Sequence, residues 1–128
     1  MFGLAPSATP YMLSNKAQSA LYNIRHNILA ARRFTADITF EEFKQSDLHF
    51  YAVMRALEIV YEASRRLPEG FRHKHPQLPW KQIMGIGNVL RHDYDNVVET
   101  IVWETTHKGL DPLLAVVVAE IEAFDPKP

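Results

Sequence analysis

The segment Gly87 to Val97, GNVLRHDYDNV, brings together side chains that can perform acid–base chemistry on a phosphate ester. On a helix, at about 100° per residue, one side carries Asn88, Arg91, His92 and Asp95. An imidazole moves protons near neutral pH and a guanidinium binds phosphate oxygens, so this pair predicts phosphodiester cleavage without a metal. The same residues also suit a solvated helix end, where cations favour the negative end of the helix dipole. Spacing alone leaves both interpretations open.

Helices must position this segment, because apolar residues recur at three- and four-residue steps over most of the chain. No window alternates apolar and polar residues as a strand would, so we expect an all-α, single-domain bundle of about five helices. The expected helices cover residues 15–34, 47–67, 80–94, 96–109 and 111–123, and a further short helix follows Thr39. We expect residues 1–14 to form a flexible N-terminal arm and residues 15–128 to form the helical domain.

The longest predicted helix, Asp47 to Leu67, carries an apolar stripe that begins with Leu48 and Tyr51. After it, the segment PEGFRHKHPQLP, residues 68–79, contains three prolines and one glycine. Such a density of helix-breaking residues predicts a surface loop.

Composition excludes several classes of protein. Cysteine is absent, which excludes disulfides, a thiolate nucleophile and cysteine-bound metals, and the reducing cytoplasm is the expected location. No apolar run approaches the roughly 20 residues that cross a bilayer, and the first residues lack the basic start of a secretory leader. The net charge of −1 means that any nucleic acid must be bound by a local basic patch.

One such patch is predicted around residues 65–75. Arg65, Arg72 and Lys74 are its candidate RNA-binding residues, because cations bind phosphates without regard to base sequence. A solvated surface without a ligand is the alternative, since the chain as a whole is not basic. His73 and His75 lack a nearby third ligand, so we assign no metal and no cofactor.

Several separated motifs, in order, resemble those of HepT-like proteins, a branch of the HEPN superfamily. The resemblance covers Ala52 to Val97. The matching motifs are R-x-LE at Arg55–Glu58, EA-x-x-RLP at Glu62–Pro68, P-x-x-PW-x-x-I at Pro76–Ile83 and N-x-L-x-H-x-Y at Asn88–Tyr94.

The resemblance implies a HEPN-like helical bundle that forms a homodimer. It also implies a metal-independent ribonuclease toxin, in which His92 is the general acid or base and Asn88 belongs to the same site. The implied partner is a minimal nucleotidyltransferase antitoxin, which in some such pairs transfers AMP to the tyrosine that corresponds to Tyr94.

One position departs from the family pattern. The arginine that precedes the histidine by four to six residues in the family falls on Gly87, and Arg91 lies one helical turn further on. Arg91 is therefore a shifted candidate for the role of binding the phosphate. A catalytically silent protein that serves as the binding partner or substrate-presenting subunit of a nucleotidyltransferase is the alternative function, and a structural bundle with an unrelated ligand is a third.

Overall fold

Helices form the regular structure of the residues that this computed structural model describes, which are 13–85 and 97–127. In chain order they are α1 (Asn15–Phe34), α2 (Phe40–Lys44), α3 (Asp47–Arg65), α4 (Glu69–Lys74), α5 (80–85), α6 (Val97–Glu104) with a π-helical turn (Thr105–Gly109), and α7 (Asp111–Phe124). Neither of these two ranges contains a strand, so the all-α prediction is confirmed. None of the helices within them is long and apolar enough to cross a membrane.

Side-chain caps explain where the first two helices begin. The Ser14 hydroxyl accepts a hydrogen bond from the backbone N–H of Ala17 at 3.1 Å and starts α1. Thr39 and Glu42 form a reciprocal capping box at the start of α2, with hydrogen bonds of 2.9 and 3.1 Å. These caps satisfy backbone donors that have no partner inside a helix.

The core lies between α1 and α3, and α7 packs against α1. Helix α1 buries Leu21, Ile24 and Ile28, each with no exposed surface. The facing surfaces of the other elements bury Phe43, Val53, Leu57, Val60, Val102, Leu113, Val117 and Ile121. A core of this kind holds the ends of α3 in fixed positions, and the candidate site forms at one of them.

The prediction of a surface loop over residues 68–79 was wrong in its first half. Residues Glu69–Lys74 form helix α4, with Pro68 as its N-cap. Phe71 supplies the reason, because its ring is only 2% exposed and fixes this turn against the core. Proline before a helix is compatible with it, since the missing N–H would have no partner in the first turn.

The predicted apolar stripe of α3 was also wrong at its beginning. Leu48 and Tyr51 are 77% and 66% exposed. At about 100° per residue, Leu48 lies about 180° and Tyr51 about 120° around the helix from the buried Leu57. The buried face of α3 therefore begins at Val53.

Candidate functional site

The predicted catalytic segment lies outside the described residues. Asn88, Arg91, His92 and Tyr94, together with Gly87, fall within residues 86–96. Helix α5 leads into this segment and α6 follows it, so the described residues show the surroundings from which the chain enters and leaves the motif.

An open groove of about 710 Å³ lies where α3 ends and α5 begins. The described residues that line it lie in the last turns of α3, in α4 and in α5, and they are Tyr61, Arg65, Arg72, Trp80, Lys81, Met84 and Gly85. Two of the three predicted RNA-binding residues, Arg65 and Arg72, are thus brought to one groove. Gly85 lines the groove and precedes Gly87 by two positions in the chain.

The two arginines are held by neutral hydrogen-bond acceptors. The Nη1 of Arg65 donates to the Tyr61 hydroxyl at 2.8 Å, and its guanidinium carbon lies 5.4 Å from the centre of the Tyr61 ring. The Nη1 of Arg72 donates to the Leu67 carbonyl oxygen at 2.6 Å. Because a guanidinium has several N–H donors and these contacts do not neutralise its charge, both arginines retain donors for an anion.

The indole of Trp80 is fixed at the wall of the groove. Its Nε1 donates to the His75 carbonyl oxygen at 2.9 Å. The Phe71 ring meets it edge-on, with ring centres 6.1 Å apart and planes at 73°. The side chain is half-buried, so one part packs on the core while another part faces the groove.

Lys74, the third predicted RNA-binding residue, is placed elsewhere. Its Nζ lies 3.2 Å from Oε2 of Glu120, a residue of α7 whose side chain is only 6% exposed. The Nε2 of His75 lies 2.5 Å from the same oxygen. Lys74 therefore contributes to a partly buried charge cluster that joins α4 to α7, and it does not line the groove.

Charge and shape together define what the groove can bind. Arg65, Arg72 and Lys81 line it, and none of its lining residues within 13–85 and 97–127 is acidic. The nearby ion pairs of Arg55 with Glu58 and Glu62, at 3.6 and 3.8 Å, involve exposed side chains outside this lining. A positive groove with an aromatic wall suits a ligand that combines phosphates with flat rings.

Comparison with known proteins identifies the family of this chain. A family model described as "Ribonuclease HepT-like" matches residues 24–120. The chain belongs to the HepT-like ribonuclease family. This confirms the resemblance that the separated motifs predicted.

Individual relatives of this HepT-like chain carry ribonuclease names. It is 38% identical over 93 residues to "Putative RNase MJ1380" of Methanocaldococcus jannaschii, which covers 73% of this chain and 85% of that protein. It is 43% identical over 76 residues to "Putative RNase TTE0752" of Caldanaerobacter subterraneus, covering 59% and 68%. It is 34% identical over 93 residues to "Probable ribonuclease HepT" of Thermococcus cleftensis, covering 73% and 84%. No solved structure matches at a significant level.

Five described residues of the groove were not predicted as site residues of this HepT-like chain. Tyr61, Lys81, Met84 and Gly85 carry no pattern that marks them, and Trp80 was used only as part of the family motif P-x-x-PW-x-x-I. The one available signal was the position of Trp80 and Lys81, at the start of the helix that leads into the motif. That position does not predict that Trp80 and Lys81 lie beside Arg65, which belongs to another helix. Only the packing of the helices brings these residues together.

Proposed function

We propose that this protein is a metal-independent endoribonuclease that acts as the toxin of a toxin–antitoxin pair. The observation that carries the proposal is the family match over residues 24–120, because this range includes the whole motif from Asn88 to Tyr94. The basic groove supports it, since Gly85 in its lining is two residues before Gly87 and RNA must be held beside the motif by local positive charge.

His92 is the proposed general acid and base. It accepts the proton of a ribose 2′-OH while the 2′ oxygen forms a bond to phosphorus and the bond from phosphorus to the 5′ oxygen breaks. An imidazolium then returns a proton to the leaving 5′ oxygen. The products are a 2′,3′-cyclic phosphate and a 5′-hydroxyl, so the reaction needs no added water or metal in this step.

Arg91 and Asn88 are the proposed partners of His92 in this reaction. The guanidinium of Arg91 stabilises the negative charge that develops on the phosphate oxygens, and the Asn88 amide donates a further hydrogen bond. A homodimer would bring two copies of the motif together, which supplies a second imidazole for the proton transfer.

The proposed partner is a minimal nucleotidyltransferase antitoxin. It would silence the toxin by joining the α-phosphorus of ATP to the Tyr94 oxygen, with pyrophosphate as the leaving group and the phenolic proton released. An AMP group at Tyr94 would place a bulky anion two residues from His92 and would repel RNA.

Gly87 favours a second candidate function. Because glycine stands where the family has its arginine, the chain is alternatively a catalytically silent partner or substrate-presenting subunit of a nucleotidyltransferase. In that case Tyr94 remains the AMP acceptor, and the groove binds RNA without cleavage or is unused.

The test is cleavage of a labelled RNA in EDTA by the wild type, His92→Ala and Arg91→Ala, at matched concentration. His73→Ala is the control, because His73 is an exposed histidine on α4 outside the motif. We expect the wild type and His73→Ala to cut, and the other two variants to lose activity with unchanged circular dichroism. Full activity of His92→Ala would overturn the mechanism. A wild type no more active than His92→Ala would favour the silent-partner function.

A further inference from the structure

We infer that the groove is a stacking subsite for one unpaired nucleotide of the RNA, with Trp80 as the surface on which its base lies. Lys81, Arg65 and Arg72 would bind the phosphates on either side of that base. This inference rests on the proposed ribonuclease function and adds to it a site away from the reacting atoms.

Trp80 is prepared for stacking by its own contacts. The hydrogen bond from its Nε1 to the His75 carbonyl oxygen, at 2.9 Å, and the edge-on contact with Phe71 fix the indole plane before any ligand arrives. Little side-chain freedom is then lost on binding, so more of the stacking energy appears as affinity. Base–aromatic stacking also tolerates any base, because every base has a flat face.

The cations of the groove differ from several others in the protein by what they contact. Arg32, Lys44, Arg55 and Lys74 each pair with a carboxylate. Within residues 13–85 and 97–127, Arg65, Arg72 and Lys81 take part in no such ion pair at 4.0 Å or less, although all three line one groove. Phosphates are the anions that would neutralise them without distorting the fold.

The size of the groove is compatible with a single nucleotide, and the exposed face of Trp80 that stacking requires favours an unpaired one. A volume of about 710 Å³ falls within the roughly 300–1,000 Å³ of pockets that hold small ligands. In an A-form duplex both faces of a base are covered by its neighbours, so only an unpaired base can lie against Trp80. Because Gly85 lines the groove and precedes Asn88 by three positions in the chain, we expect the nucleotide bound there to be close along the RNA to the bond that the motif cleaves.

The experiment uses the intrinsic fluorescence of Trp80. The chain has two tryptophans, so Trp103→Phe leaves Trp80 as the sole indole, and His92→Ala in the same chain prevents cleavage during the measurement. Three probes of equal length are titrated: an unpaired oligoribonucleotide, the same backbone without bases, and a perfect duplex. We expect quenching of Trp80 by the unpaired RNA at concentrations about tenfold or more below those needed with the other two probes.

Variants of the otherwise wild-type enzyme provide the second measurement. Trp80→Ala should raise KM by about 5- to 100-fold with little change in kcat, and Trp80→Phe, which keeps an aromatic face, should recover most of that loss. Lys81→Ala should raise KM less and should weaken its dependence on salt. The Phe variant and Lys81→Ala keep the test valid if Trp80→Ala does not fold.

Failure of the subsite and failure of the proposed function give different results. Wild-type cleavage with an unchanged KM in Trp80→Phe, Trp80→Ala and Lys81→Ala would overturn the subsite and leave the ribonuclease in place. Equal binding of the three probes would overturn it as well, since phosphates alone would then account for affinity. No cleavage and no binding of any RNA by the wild type would overturn both.

Discussion

The two ends of helix α3 use the same residue types for different purposes. Near its beginning, Phe50 touches Phe43, and Phe43 in turn packs against Trp103, with ring centres 5.8 and 5.3 Å apart. We call this region, together with the π-helical turn, the closed end. About 20 Å along the helix, at about 1.5 Å per residue, Arg65 marks the groove. Both regions have arginine beside tryptophan: Arg32 contacts the turn that follows Trp103, and Arg65 lines the groove with Trp80.

The polar side chains of the closed end form hydrogen bonds and an ion pair with other residues of the same chain. His107 contacts the Trp103 carbonyl oxygen through Nδ1 at 2.8 Å and the Thr35 hydroxyl through Nε2 at 2.9 Å. Arg32 donates through Nε to the Thr106 carbonyl oxygen at 3.0 Å and pairs with Asp111. These contacts join α1 to the π-helical turn and to α7, so these residues serve the architecture.

The groove differs in this respect. The hydrogen bonds of Arg65 and Arg72 to other residues of the described ranges go to a hydroxyl and a carbonyl oxygen, and neither neutralises a guanidinium. The comparison teaches that an arginine beside a tryptophan keeps its positive charge available for a ligand only where no carboxylate accompanies it. Residue type alone does not distinguish the two ends.

Phe43→Ala should produce the largest effect, because it breaks the closed end and leaves the groove intact. Phe43 has no exposed surface, so its truncation should lower the free energy of unfolding by about 3–5 kcal/mol. Urea unfolding measures this loss. The control is Leu48→Ala, which removes a 77% exposed side chain and should change stability by about 0.5 kcal/mol or less. Similar losses in both variants would contradict the assignment of the core.

Removing an arginine from the closed end should lower stability, whereas removing one from the groove should weaken RNA binding. Arg32→Ala removes the pair with Asp111 and the hydrogen bond to Thr106, and we expect a loss of about 1–2 kcal/mol in unfolding free energy with unchanged RNA affinity. Arg65→Ala should change stability by less than about 1 kcal/mol but weaken RNA binding.

The dependence of RNA affinity on salt concentration gives a further measurement on the same two variants. Each phosphate contact on single-stranded RNA contributes about 0.7 to the slope of log affinity against log salt concentration. Arg65→Ala should reduce the magnitude of this slope by about that amount, and Arg32→Ala should leave it unchanged. An equal change of slope in the two variants would mean that the groove has no special role.

The smallest effect concerns two tyrosines with opposite hydrogen-bonding roles. The Tyr61 hydroxyl accepts from Arg65, whereas the Tyr22 hydroxyl donates to the Asp125 carboxylate. That hydrogen bond raises the pKa of Tyr22 above its ordinary value of 10.0. The folded state favours the neutral phenol, so the stabilisation is present below pH 10 and is lost as the pH rises through the raised pKa.

Asp125→Asn tests this assignment. An ultraviolet titration should show the Tyr22 pKa lower in the variant than in the wild type, since the carboxylate that disfavours the phenolate has been removed. Tyr22→Phe identifies which of the titrating tyrosines is responsible. An identical titration curve for the wild type and Asp125→Asn would show that the carboxylate does not act on Tyr22.

The sequence was sufficient to predict the helices where local signals agree. Helix α1 has the predicted bounds, α2 begins after Thr39, and α7 ends within one residue of the prediction. Apolar periodicity and side-chain caps act within a few residues, so they can be read without the fold. The separated motifs similarly sufficed for the family, because order and spacing along the chain carry that information.

The errors occurred where a distant contact outweighs a local signal. Residues Glu69–Lys74 are helical because the Phe71 ring is buried in the core, although the surrounding prolines and glycine favour a loop. The motif residues Asn88, Arg91, His92 and Tyr94 stay predictions, since they lie outside the described residues.

The sequence by itself determined which basic residues are candidates for binding RNA, and only the tertiary structure decided which of them line the groove. Arg65, Arg72 and Lys74 are equivalent as basic residues of one segment, yet packing places the first two beside Trp80 and the third against Glu120 of α7. The physical reason is that a charge is neutralised by opposite charges close to it in space, whatever their separation along the chain. Glu120 is far from Lys74 along the chain, so its effect becomes visible only when the helices have packed.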